Sequence, residues 1–162
     1  MLESIELRWF FKGVMPKNVV KYCNLSFKCR IEYRTDYYLE LKNCNYLGIK
    51  LRDERLEIKW RKNSNDVLKL YNPNMSGNIE SWVRWEWVDG ASYNDIIKFM
   101  NIQTNSPLIK IDKKRSQKKF IVKNRVLEEI YCNQRDFDCA LEITELKIND
   151  QMWWSVGFDI FK

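Results

Sequence analysis

Histidine is absent from all 162 residues. That absence removes the commonest general base together with the Ser-His and Cys-His nucleophile pairs. The five cysteines, at positions 23, 29, 44, 132 and 139, are odd in number and show no Cys-x-x-Cys spacing. Without histidine they offer no zinc-ligand set and read as buried, reduced thiols, which leaves carboxylates and bound metal as the available chemistry. Glycine and proline are scarce, at five and three, which argues against a linker-divided or low-complexity chain, and no repeat of fixed period is found. Long hydrophobic runs are missing too. The opening MLESIELRWFFKG sets acids before its apolar residues, so neither a signal peptide nor a membrane span is expected there, and a cytoplasmic location is.

What the chain does have is apolar mass and positive charge. Apolar residues make up 45%, with seven Trp, eight Tyr and eight Phe, enough for a substantial core in one domain spanning 1–162. A net charge of +6 implies an acidic ligand or partner without choosing among nucleotide, nucleic acid and membrane surface.

The charge is concentrated in GIKLRDERLEIKWR, from Gly48 to Arg61. This stretch reads as two strands joined at Asp53 and Glu54. Alternation puts Lys50 and Arg52 on one face and Ile49 and Leu51 on the other. In the second strand Arg55, Glu57, Lys59 and Arg61 alternate with Leu56, Ile58 and Trp60, and a two-residue connection sets Lys50 opposite Glu57. One face then carries five cations and one carboxylate. Like charges about 5 Å apart at an effective dielectric of roughly 20 repel by about 3 kcal/mol, so this face needs either bulk water or an anion.

The remaining chain is mostly strand chemistry. Ser4, Glu6 and Arg8 alternate with Ile5, Leu7 and Trp9, and Pro16 opens a short helix through Val19, Val20 and Cys23. Strand character returns from Lys28 to Leu41, where Arg34, Asp36, Tyr38 and Glu40 share a parity. The polar stretch from Lys62 to Gly77 reads as a long loop with a short strand around Val67 to Leu70. Trp82, Arg84 and Glu86 then alternate with Val83, Trp85 and Trp87, and Ser92 with Asp95 marks a helix through Ile96, Ile97, Phe99 and Met100. The basic run from Lys110 to Lys119 reads as solvated strand ends or loops, with nucleic-acid binding as the alternative. A helical turn is expected over Arg125 to Ile130, and strands over Cys139 to Leu146 and Trp153 to Phe161. These strands are polar on one face and apolar on the other. A sandwich with its charges in solvent and a barrel with charges around a wet lumen both satisfy that pattern.

In order, these pieces resemble the CYTH superfamily, the triphosphate tunnel metalloenzymes, which include thiamine and inorganic triphosphatases, class IV adenylyl cyclases and fungal-type RNA triphosphatases. Glu6-Leu7-Arg8 looks like the end of the family's E-x-E-x-K, TDYYLEL resembles its D-x-Y-F segment, Lys50-Leu51-Arg52 stands where it has R-x-R, and Glu57-Ile58-Lys59 where it has a strand ending in Lys. Arg84 with Glu86, the basic strand near Arg115, Glu142 and Asp159 follow in the same order. The resemblance implies an α+β fold that is mainly an antiparallel barrel, a tunnel of about eight strands with a few short flanking helices. It implies phosphate binding by Arg8, Arg34, Lys50, Arg52, Lys59, Arg61, Arg84 and Arg115. It also implies Mg2+ or Mn2+ on Glu6, Glu142 and Asp159, with metal-dependent triphosphate hydrolysis as the activity. Ser4 and Gly157, however, stand where the family has further acids.

Three functions follow as expectations. The first is a metal-dependent phosphohydrolase acting on a small phosphorylated ligand, and the second a tunnel that binds such an anion without turnover. The third is a nucleic-acid or protein interaction domain using the Lys110 to Lys119 run. Stacking on bases needs aromatics beside the cations, whereas Trp60, Trp85 and Trp87 lie on the opposite parity, where core packing or a homodimer contact is their use.

Overall fold

The computed structural model describes residues 1–27, 31–53, 55–69, 76–87, 98, 108–131 and 136–161, with the side chains of 64–69 excepted. Strand β1 (Leu2–Lys12) leads to helix α1 (Lys17–Ser26), then β2 (Glu32–Leu39), β3 (Leu47–Arg52), β4 (Arg55–Lys69) and β5 (Ser76–Trp87). After these come β6 (Leu108–Lys123), β7 (Val126–Ile130), β8 (Cys139–Ile148) and β9 (Gln151–Phe161). The sheet order is β2-β3-β4-β5-β1-β9-β8-β6-β7, and β2 also pairs with β6. That last pairing, Glu32 opposite Arg115 through Leu39 opposite Leu108, closes eight antiparallel strands into a barrel and leaves β7 outside it on β6. Closure removes the unpaired edges that an open sheet would expose.

The barrel is inverted relative to an ordinary globular core. Leu51 and Val83, with 0% and 1% of their surface exposed, face outward. Leu51 packs with Leu39 and is flanked by Tyr37, Leu41, Ile49, Leu56 and Leu108 on the outside of β2 to β4. Helix α1 covers another outer patch, where Met15, Cys23 and Ile143 pack with Val19, Val20, Trp154 and Val156. Pro16 precedes the helix with φ −59°, and its carbonyl accepts the N–H groups of Val19 and Val20. A proline ring suits that position because the missing N–H has no helical partner to lose. Trp85 and Trp87 remain about two-fifths exposed on the outer face of β5.

The organising hairpin forms in the expected register, with Lys50 opposite Glu57 and Arg52 opposite Arg55. Two expectations are corrected. Residues 62–69 are not a loop, because β4 runs to Lys69 and pairs with β5 as far as Lys69 opposite Ser76, with irregularities between Arg61 and Asn63 and between Ser64 and Asp66, while 70–75 of the expected loop lie outside the described residues. Backbone pairing with a neighbouring strand outweighs weak strand propensity there. Arg125 to Ile130 is not helical either. Asn124 and Arg125 take φ +50° and +66°, the geometry of a two-residue hairpin turn, and Val126 pairs with Lys123. Helix α1 is the single helix of several turns among the described residues, and the helix expected over 92–100 lies outside them apart from Lys98. No helix among the described residues is long and apolar enough to cross a membrane.

Candidate functional site

Because alternate residues of every barrel strand face inward, the charged parity lines a cavity of about 590 Å³. Ten of the eleven residues singled out from the sequence line it: Arg8, Arg34, Lys50, Arg52, Lys59, Arg84, Arg115, Glu6, Glu142 and Asp159. Arg61 does not. It donates to Glu80 at 2.6 Å and to the Asn45 side chain at 3.0 Å, tying β4 to β5 and to the segment before β3.

One group gathers around Asp36, which is 0% exposed. Arg52 Nε donates to it at 2.9 Å and Lys113 Nζ at 2.8 Å, while Lys50 Nζ and Arg34 Nε stand 3.7 and 3.8 Å away. Lys113 also donates to the Tyr38 hydroxyl at 2.7 Å, and Lys50 makes a 2.7 Å pair with Glu57 on the opposing strand. Burial by itself would raise the Asp36 carboxyl, but the Arg52 hydrogen bond and the fields of Lys113 and Lys50 hold it well below the usual range. Burial and neighbouring Arg52 push Lys50 down to about 7, against the pull of Glu57 and Asp36. Lys113 falls to about 8, again chiefly through burial, with Arg34 and Arg52 adding repulsion and Asp36 opposing.

These depressed lysines set a pH dependence. Between about pH 7 and 10.5 an unfolded chain keeps protons that the folded chain has released, so stability rises with pH through this window. Above pH 10 the raised Tyr38, held protonated by burial and by Asp36, reverses the trend. The expected result is a urea midpoint that climbs from pH 7 to pH 9.5, by on the order of 2 kcal/mol in unfolding free energy. A flat or falling midpoint contradicts the burial of Lys50 and Lys113.

A second group lies across β1, β8 and β9. Arg8 donates through Nη1 to Glu142 at 2.8 Å and through Nη2 to both Asp159 oxygens at 3.2 and 3.3 Å. The second Glu142 oxygen accepts from Arg115 at 3.1 Å and from Gln117 at 3.0 Å, and Thr144 donates to the first. Burial raises Glu142, but Arg8 and Arg115 together bring it well below the ordinary carboxylate range. Asp159 goes the other way, to about 6, because burial and the nearby Glu6 and Glu142 outweigh Arg8. Glu6 accepts from Ser4 at 2.7 Å and pairs closely with Lys59, whose ammonium lies 4.9 Å from the Trp82 ring centre.

Magnesium or manganese on Glu6, Glu142 and Asp159 does not fit this donor set. Both oxygens of Glu142 and both of Asp159 accept hydrogen bonds from protein groups, and Arg8 already bridges the two acids. Among the described residues no group of three or more potential ligand side chains is placed to hold a metal ion.

Sequence reasoning set Glu57 opposite Lys50 but did not name Lys113, Tyr38 or Glu57 as site residues, and it missed the structural role of Asp36. Lys113 was hidden in a basic run, yet it shares the parity of Arg115 and Gln117, both of which face the lumen. With Asp36 counted behind the wall, six acids stand against eight lining cations, an excess of two. Most of the crowding inferred from the hairpin is therefore relieved within the protein.

The weakest pairing is localised. The Arg34 side chain is 10% exposed, its Nε lacks a hydrogen-bond partner and stands 3.8 Å from Asp36, and its Nη1 makes a 3.3 Å contact with half-exposed Glu32. Burial and then Arg115 and Arg52 lower its pKa, so the site resists its charge. Arg84 also has a buried Nε without a hydrogen bond, with Glu86 at 3.3 Å but misaligned, and its Nη1 stands 4.0 Å from Glu57.

No protein-family model and no curated protein matches the chain. Among solved structures it is similar to the PH1012 protein of Pyrococcus horikoshii OT3, with a TM-score of 0.48 and 13% identity over 97% of this chain and 79% of that one. It is also similar to the conserved hypothetical protein Pfu-838710-001 of Pyrococcus furiosus, with a TM-score of 0.44 and 11% identity over 95% of this chain and 77% of that one.

Proposed function

We propose that this barrel captures a small phosphorylated anion of the triphosphate type in its lumen, as a divergent relative of the CYTH superfamily. The observation that carries the reading is Arg34, a nine-tenths buried side chain of the cavity lining whose Nε has no hydrogen-bond partner within the protein and stands 3.8 Å from Asp36. A buried donor left unmade costs about 1–3 kcal/mol, more when charged, and a phosphate oxygen is the acceptor whose charge also offsets the excess of two. Arg84, which also lines the cavity, has a second such Nε.

The interaction-domain alternative has less support. In the basic run, Lys113 faces inward with Arg115, while Lys114 pairs with Glu145 at 2.7 Å and Lys110 with Asp112 at 3.2 Å. Those cations are already engaged, so they do not form a free strip for a nucleic-acid backbone.

Thermal unfolding in the presence of tripolyphosphate, pyrophosphate and ATP tests the proposal. Ligand at about a hundred times its dissociation constant stabilises by about 2.7 kcal/mol, enough to raise the melting temperature by several degrees. No shift with any of the three removes the reading. Phosphate release measured in the same samples separates capture from turnover.

A further inference from the structure

The Arg8 guanidinium occupies a seat made for it. Arg8 on β1 stands directly opposite Gly157 on β9. A Cβ placed on Gly157 would come 2.7 Å from Arg8 Cζ, 2.8 Å from Nη2 and 3.0 Å from Nε, so the flat guanidinium lies against the bare backbone where any other residue would project. From there it spans Glu142 on β8 and Asp159 on β9, which are 6% and 7% exposed. Three inward acids, Glu6, Glu142 and Asp159, are thus countered by three cations of the chain itself: Lys59, Arg115 and Arg8.

A divalent cation entering here has to displace that arrangement. Magnesium requires near-octahedral oxygen ligation at about 2.0–2.1 Å, whereas the oxygens of Glu142 and Asp159 are turned toward N–H donors. Evicting Arg8 would also leave a guanidinium with no comparable partner inside a cavity that already holds excess positive charge.

We propose that Arg8 is the resident cation of this carboxylate cluster, seated over Gly157, and that anion capture therefore proceeds without a divalent metal. This rests on the lumen being an anion site, and it adds that Ser4 and Gly157 are part of a site rebuilt around an arginine. Ser4 donates to Glu6 instead of supplying an acid, and Gly157 supplies space.

Two measurements decide it. Calorimetric titration of the wild-type chain with tripolyphosphate in EDTA is expected to give full, stoichiometric binding, with added Mg2+ bringing no gain. Binding that appears solely once Mg2+ or Mn2+ is present overturns the proposal. In the second, Mn2+ is titrated into ligand-free protein and followed by its electron paramagnetic resonance signal. The wild type is expected to leave the free-ion signal unchanged, whereas Arg8→Ala, which uncovers Glu142 and Asp159, takes Mn2+ up. Equal uptake by both overturns the assignment of Arg8. Should Arg8→Ala fail to fold, Arg8→Gln keeps the volume while removing the charge. A wild type that ignores tripolyphosphate in both conditions sinks the anion reading, and the Mn2+ titration still judges Arg8 by itself.

Discussion

Asp36→Asn is expected to cost about 3–5 kcal/mol of unfolding free energy, a large share of the stability of a chain this size. The substitution keeps the shape and removes the charge on which Arg52 and Lys113 are hydrogen-bonded and toward which Lys50 and Arg34 are drawn. With the carboxylate completely buried, water does not replace it. Lys50 and Lys113 have one escape, which is to shed protons, since burial has already brought them down to about 7 and 8. The loss should accordingly be greatest near pH 6 and partly recovered near pH 9, an outcome that a mere packing defect does not produce. Urea denaturation at both pH values makes the comparison. A loss below about 1 kcal/mol at pH 6, the scale of an exposed ion pair, shows that Asp36 does not organise the cations.

Asp36 also marks where sequence reasoning stopped. The pairing of Lys50 with Glu57 was legible because alternation and a two-residue connection fix a hairpin register locally. Which face turns inward was not, since a period of two is the same for a sandwich and for a tunnel. That choice is made by β2 meeting β6, Glu32 against Arg115, across a separation no local pattern encodes. The same closure turns Lys113 from one lysine in a basic run into a ligand of Asp36. Arg61 sits at the β4–β5 seam with Glu80 and Asn45, although its parity along the strand matches Lys59. The resemblance to triphosphate tunnel enzymes located ten lining residues, but not the partnership of Arg8 with Gly157, because a glycine in a sequence does not announce what fills the space it leaves.

Arg34→Met is expected to weaken tripolyphosphate binding by about 10- to 100-fold while leaving stability unchanged or higher. The loss corresponds to one hydrogen bond to a charged group, about 1.5–3 kcal/mol. The stability side follows from what Arg34 lacks in the free protein. Its Nε lacks a hydrogen-bond partner, its contact with Glu32 is long, and Arg115 and Arg52 repel it. Replacing a buried, poorly paired charge with an apolar side chain of similar length is often neutral or stabilising. A residue kept for packing behaves in the opposite way, losing stability on truncation and leaving ligand affinity alone. Arg55→Ala is the control: Arg55 shares the basic hairpin but is exposed beside its turn and does not line the cavity, so both quantities should hold. If Arg34→Met binds as tightly as the wild type, the unsatisfied guanidinium is not the anion's partner and the excess charge of the lumen serves some other end.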